Sequence, residues 1–210
     1  MIQMQQVVTI GHSNHPIERF IALLEGARVT AVADVRSAPA SRFAPQFNKE
    51  ALAQALTEQH IAYGFLGNAL GGRPKQQSLF TKGVADYEKM AASSEFRAGI
   101  ARLTEAAEQD RIALMCAEAD PLDCHRCLLV ARTLADANIE LAHILGSGEI
   151  VAHSQIEERL LTLEGLGEEE LFLRSREERL AKAYRLRSSK VAYAESDEKP
   201  VDGTREARRA

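Results

Sequence analysis

The sequence contains no long apolar run, no surplus of positive charge and no scattered cysteines, and each absence excludes a class. No apolar stretch approaches the length that spans a bilayer, and the N-terminus lacks a basic-then-apolar secretion signal. The expected setting is therefore the cytoplasm, with no membrane partner. A formal net charge of -4 argues against a broad surface for coating nucleic acid, though not against a local basic groove. The three cysteines all fall between positions 116 and 127, whereas a disulfide-stapled secreted domain would spread them along the chain. Clustered thiols point instead to reactive groups, a metal or small buried hydrophobes.

What is present is ordinary globular material: 210 residues, 45% apolar and 27% charged, enough for one sizeable core and without internal repeat. Short β-prone runs at Gln6–Ile10, Val29–Val35, Ile61–Phe65, Ile112–Met115 and Ile139–Leu145 read as strands. Glu149–Ala152 adds a sixth strand or a hairpin. Helical periodicity lies between most of them, as in the segment with Phe20, Leu23 and Leu24 behind Pro16. Strand, polar loop, helix and strand in alternation define βαβ units. The predicted fold is a single α/β domain of Rossmann-like architecture, a mostly parallel sheet of about five to six strands with helices on both faces. Ser154 and Glu157 have capping-box spacing, and Glu168–Arg187 carries acids first and bases last, as a helix dipole prefers. The domain is expected to span 1–187, with a helical extension from about 154 and a disordered, charged tail over 188–210.

Every strand ends in polar or Gly-rich sequence, and in a parallel sheet those ends share one edge. His12, Ser13 and Asn14 follow the first strand, and Asp34 and Arg36 the second, with Arg42 in the loop beyond. Arg73 follows a Gly pair, Cys116 and Glu118 end the fourth strand, and Cys124, His125 and Arg126 open the next helix, with Asp123 as its expected N-cap. At a helix start beside arginine, the Cys124 thiolate would be favoured, whereas a structural Cys124 would only face the sheet. The candidate catalytic residues are Cys116, Glu118, Cys124 and His125. His12, Ser13, Asn14, Asp34, Arg36, Arg42, Arg73 and Arg126 are the candidates for holding substrate, since guanidinium groups suit phosphate or carboxylate. Cys124 and Cys127 have Cys-x-x-Cys spacing but no second pair at a finger-like distance, so no metal ligands are assigned and no cofactor is named.

Five motifs in order carry a resemblance: Thr9-Ile-Gly-His-Ser-Asn14; Asp34-Val-Arg36 with Pro39 and Ser41-Arg42; Leu66-Gly67 with Leu70-Gly-Gly-Arg73; Cys116-Ala-Glu118 with Pro121 and Cys124-His-Arg126; and His143-Ile144. Together they resemble the bacterial and archaeal family called domain of unknown function 488, over about residues 7–155. The resemblance implies a single Rossmann-like α/β domain and brings no activity with it; Cys127 falls outside its pattern. A weaker likeness, at the level of analogy, is to rhodanese-like sulfurtransferases and related phosphatases, whose nucleophilic Cys sits in a loop closed by Arg. Here Arg126 stands ten residues after Cys116, a longer spacing than such loops use.

Three functional readings follow. The first is an enzyme using Cys, His and Glu on a small anionic substrate, phosphate-bearing and of nucleotide type. The second is a metal-dependent hydrolase, its metal site using Cys124, His125 or His12, or a sulfurtransferase-like enzyme. The third is a nucleic-acid-binding or regulatory module without catalysis, built on Arg36, Arg42, Arg73 and the basic C-terminal helix.

Overall fold

In the computed structural model, residues 7–167 and 175–195 are described. The chain runs β1 (Val7–Gly11), α1 (Ile17–Gly26), β2 (Ala31–Asp34), α2 (Lys49–Glu58), β3 (Ala62–Phe65) and a short α3 (Gly67–Leu70). A small hairpin, β4 (Phe80–Thr81) and β5 (Val84–Ala85), precedes α4 (Tyr87–Ala92) and α5 (Ser94–Ala106). Then come β6 (Ile112–Cys116), a π-helical segment Arg126–Ala131 that continues as α6 (Arg132–Asp136), β7 (Leu141–Ile144), β8 (Ile150–Ala152), α7 (His153–Leu163) and α8 (Arg176–Val191).

Six strands form one sheet in the order β3-β2-β6-β1-β7-β8, all parallel except β8, which runs antiparallel to β7. Alternation along the strands sorts the apolar side chains between two layers. Val8, Ile10, Val32, Ala113 and Met115 share a core with Phe20, Leu23, Leu24, Leu52 and Leu56 of α1 and α2. Val7, Ala33, Ile112 and Leu114 share the other with Phe96, Leu103, Leu128, Leu160 and Ala183. Helices therefore cover both faces, which is the Rossmann-like α/β architecture. Among the described residues no helix is long and apolar enough to cross a membrane.

The parallel register pairs Gly11 with Cys116 and Asp34 with Met115, so the loops after β1, β2 and β6 leave from the same edge. Backbone bonds extend the pairing past the strand ends: His12 N–H donates to Cys116 O at 2.9 Å, Ser13 N–H to Ala117 O at 2.9 Å, and Val35 N–H to Met115 O at 3.1 Å. A side chain at Gly11 is impossible without movement, because a Cβ there would stand 1.9 Å from Glu118 O.

Three local expectations are corrected. Asp123 does not cap the helix; it ends a 3₁₀ turn, Pro121–Asp123, capped by Asp120, and pairs with Arg187. Cys124 takes the opening position instead, with extended backbone and its Sγ accepting from Arg126 N–H at 3.4 Å. α7 begins one residue before Ser154, and Gln155 rather than Glu157 reaches back, accepting from Ala152 N–H at 3.1 Å. Finally, α8 runs past Ser188 to Val191, and the chain then docks on the hairpin: Ala194 bridges Val84, and Ala85 N–H donates to Tyr193 O at 2.8 Å. These long-range backbone bonds keep 188–195 within the fold. Of the expected helix from Glu168, residues 168–174 lie outside the described residues, as does 196–210 of the expected tail.

Candidate functional site

A cavity of about 340 Å³ opens at the carboxyl edge of β2 and β6. Of the candidate residues, Arg36, Arg73, Cys116, Glu118, Cys124 and His125 line it. Tyr87, Ser37, Gly72 and Asp123 are also in the wall, and Val191, Ala192 and Tyr193 of the docked C-terminal segment close one side.

The cavity floor carries the chemistry. Cys116 and Cys124 are 3% and 2% exposed, and all three cysteines are free thiols. Both sulfurs face His125 Nδ1, at 3.7 Å and 3.9 Å. Val35 O, which can only accept, lies 2.9 Å from His125 Nε2, so Nε2 carries a hydrogen and Nδ1 is the atom turned to the thiols. Gly72 packs on the imidazole so closely that a Cβ would stand 2.7 Å from its ring. Glu118 is exposed as a residue, but its carboxylate is turned inward, with Oε2 2.9 Å from Cys124 Sγ.

Electrostatics make the two thiols unequal. Burial alone would push Cys124 up, but the hydrogen bond from Cys116, the Arg126 guanidinium and His125 outweigh it and hold Cys124 well below the ordinary thiol value. The hydrogen bond to Cys124 and burial push Cys116 well above it. Desolvation of the carboxylate and the facing Cys124 raise Glu118 above the ordinary carboxylate value.

Arg126 is not a cavity residue, contrary to expectation. It is 0% exposed, and its Nη1 and Nη2 donate to Glu118 O at 2.6 Å and Ala119 O at 3.1 Å. It therefore braces the loop from behind and faces Cys124 electrostatically, which is not the anion-closing arginine of the rhodanese analogy. Asp34 and His12 also stand behind the wall. Asp34 accepts from Arg36 Nε at 2.9 Å and Nη2 at 2.7 Å and from Tyr63 Oη at 2.8 Å, so it fixes Arg36. His12 stacks on Phe47 and lies 3.3 Å from Arg36 Nη1 through Nε2, with Nδ1 2.8 Å from Ser13 O. Burial lowers His12 to about 4, so it is neutral, donating from Nδ1 and accepting at Nε2. Ser13 holds a left-handed φ of 48° with its amide used by Ala117. Asn14 is exposed outside the cavity, and Arg42 lies over the ring of Phe43, itself 85% exposed. Arg73 is the exposed cation at the mouth, stacked 5.2 Å from the Tyr193 ring.

Sequence reasoning missed Tyr87 and Tyr193, the first an unremarkable helix-start residue, the second assigned to the tail. Fold and site together define a doubly covered, mainly parallel α/β protein with a thiol–imidazole–carboxylate cluster at the carboxyl edge of its sheet. The chain belongs to the family described as Domain of unknown function DUF488, which matches residues 16–133, more than half its length. That match contains every residue of the cluster but not His12–Asn14 or His143. No curated protein and no solved structure is significantly similar to the chain.

Proposed function

We propose that this protein is an enzyme whose reactive centre is Cys124 with Cys116, His125 and Glu118, acting on a small substrate that carries an anionic group. The observation that carries the reading is the convergence of two sulfurs, an imidazole nitrogen and a carboxylate oxygen on the floor of one cavity, with Arg73 at its mouth. Its volume suits a small ligand. The helix start and buried Arg126 favour anionic sulfur at Cys124, His125 Nδ1 accepts or returns a proton, and Glu118 does the same from the solvent side. Arg73, the exposed cation at the mouth, is the group that suits phosphate or carboxylate, while Arg36, neutralised by Asp34, shapes the wall behind it. Three free thiols suit a reducing compartment, which makes the cytoplasm the setting this reading requires.

The test is alkylation of the full chain in the presence of a chelator, comparing iodoacetate with neutral iodoacetamide and reading each cysteine by peptide mass spectrometry. Relative to a free thiol, Cys124 should favour the anionic reagent. Arg73→Ala should reduce that preference by about two- to fivefold, the worth of one exposed charge contact. A Cys124 with no anion preference, unchanged in Arg73→Ala, would overturn the reading.

A further inference from the structure

Cys116 Sγ, Cys124 Sγ and His125 Nδ1 lie within 4.8 Å of one another, with the nitrogen 3.7 Å and 3.9 Å from the two sulfurs. Donors on a tetrahedral zinc ion, about 2.3 Å from sulfur and about 2.0 Å from imidazole nitrogen, stand about 3.6 Å apart. The two sulfur–nitrogen separations thus match two edges of a zinc tetrahedron, and the sulfurs lie within 4.8 Å of each other. All three residues line the cavity, as does Glu118, whose Oε2 lies 2.9 Å from Cys124 Sγ. His125 is also oriented as metal-bound histidines are, with its far nitrogen held by a backbone carbonyl, Val35 O.

Charge supports a cation in the same place. The hydrogen bond from Cys124 Sγ to Glu118 Oε2 at 2.9 Å is given up when the ion takes the sulfur as thiolate. Zinc with two thiolates is neutral, and Glu118 then adds one negative charge. Arg126 supplies the compensating positive charge, being fully buried with no carboxylate paired to it among the described residues. Two thiolates and an imidazole select zinc over magnesium or calcium, which take oxygen ligands.

We infer that Cys116, Cys124 and His125 bind a zinc ion whose fourth position opens on the cavity beside Glu118. The inference rests on the proposed site: with the ion bound, Cys124 and His125 serve as its ligands, their nucleophilic and proton-transfer roles belong to the metal-free protein, and Glu118 is left to move protons at the open position. It also shows why the Cys-x-x-Cys spacing misleads. Cys127 Sγ instead clusters with His143 and His153, whose ring nitrogens bond each other at 2.8 Å. The zinc set pairs Cys124 with a sulfur from the end of the neighbouring strand.

The full chain, produced with zinc in the medium and purified without chelator, should carry about one zinc per chain by elemental mass spectrometry. Cobalt exchanged into it should give the strong visible absorption of a tetrahedral site with a thiolate-to-metal charge-transfer band. Cys116→Ser and Cys124→Ser should each lose the metal, whereas Cys127→Ser should keep it, with circular dichroism reporting folding. If the Ser variants unfold, the wild-type cobalt spectrum still reads sulfur ligation. A folded wild type that binds neither metal, an octahedral cobalt spectrum without charge transfer, or loss of metal confined to Cys127→Ser would overturn the assignment. Absence of metal with the Cys124 anion preference intact defeats the zinc site alone. Bound zinc without that preference defeats the anionic-substrate reading alone.

Discussion

The chain buries two clusters of cysteine and histidine, and they differ in what their polar atoms face. Around Cys127, Thr9 Oγ1 meets His143 Nδ1 at 2.8 Å, His143 Nε2 meets His153 Nδ1 at 2.8 Å, His153 Nε2 meets Tyr184 Oη at 3.1 Å, and Tyr184 donates to Glu157 at 3.3 Å. One direction of donation satisfies the row: Thr9 O–H to His143, then each Nε2–H outward, ending at a carboxylate that Arg176 also pairs. Around Cys124, by contrast, His125 Nδ1, two sulfurs and Glu118 converge without such a sequence and open on a cavity. Residue type does not separate architecture from chemistry here. Whether the ligating atoms open on a cavity does.

Breaking the closed row should have the largest effect. His143→Ala leaves Thr9 Oγ1 and His153 Nδ1 without their partner in a buried site and opens a cavity, which costs about 2–4 kcal/mol in urea denaturation. Glu118→Gln, at an exposed residue whose amide can keep a contact with Cys124, should cost under about 1 kcal/mol while altering Cys124 alkylation. Equal destabilisation by the two would erase the distinction between the clusters.

Acid should act next, through the closed row and His12. Burial lowers His143, His153 and His12 below the ordinary 6.5, His12 to about 4. Their folded forms bind fewer protons than the unfolded chain, so the stability they confer is present above about pH 6.5 and is lost as pH falls toward about 4. Urea midpoints should decline across that window, with His12 contributing about 2 kcal/mol after allowance for solvent screening. A His12→Gln variant should show a flatter decline; an unchanged profile would mean that His12 titrates normally in the fold.

The sheet and much of the open cluster were legible in the sequence, because runs such as Val7–Ile10 and Ile112–Met115 fix strands, and parallel strands fix which loops meet. Cys116, Glu118, Cys124 and His125 are all local to one strand–loop–helix unit. The illegible parts depend on distant pairings. Tyr193 reaches the cavity only because Ala194 bridges Val84, more than a hundred residues away in sequence. His143 meets His153 only through the antiparallel β7–β8 register that sets His143 against Val151. Arg126 and Arg42 show the opposite failure: an arginine near a site is consumed by loop carbonyls in one case and by solvent and Phe43 in the other.

A smaller effect sharpens the role of that distant pairing. Tyr193→Ala removes the ring over which Arg73 lies, a cation–π contact worth about 0.5–1 kcal/mol at an exposed site. The thermal midpoint should fall by about 1–4 °C, and the preference of Cys124 for iodoacetate should weaken with it. A fully unchanged midpoint and preference would mean that the docked segment does not shape the cavity.

The distinction between an open, reactive cluster and a closed, structural one is tested most directly by alkylating the native chain, with chelator present, and reading Cys124 and Cys127 separately by peptide mass spectrometry. Cys124 lines the cavity and its thiol is held below the ordinary value, whereas Cys127 is fully buried and burial drives its thiol up. Cys124 should therefore react at least about a hundredfold faster, since Cys127 must await local opening. Equal rates, or a faster Cys127, would contradict the account.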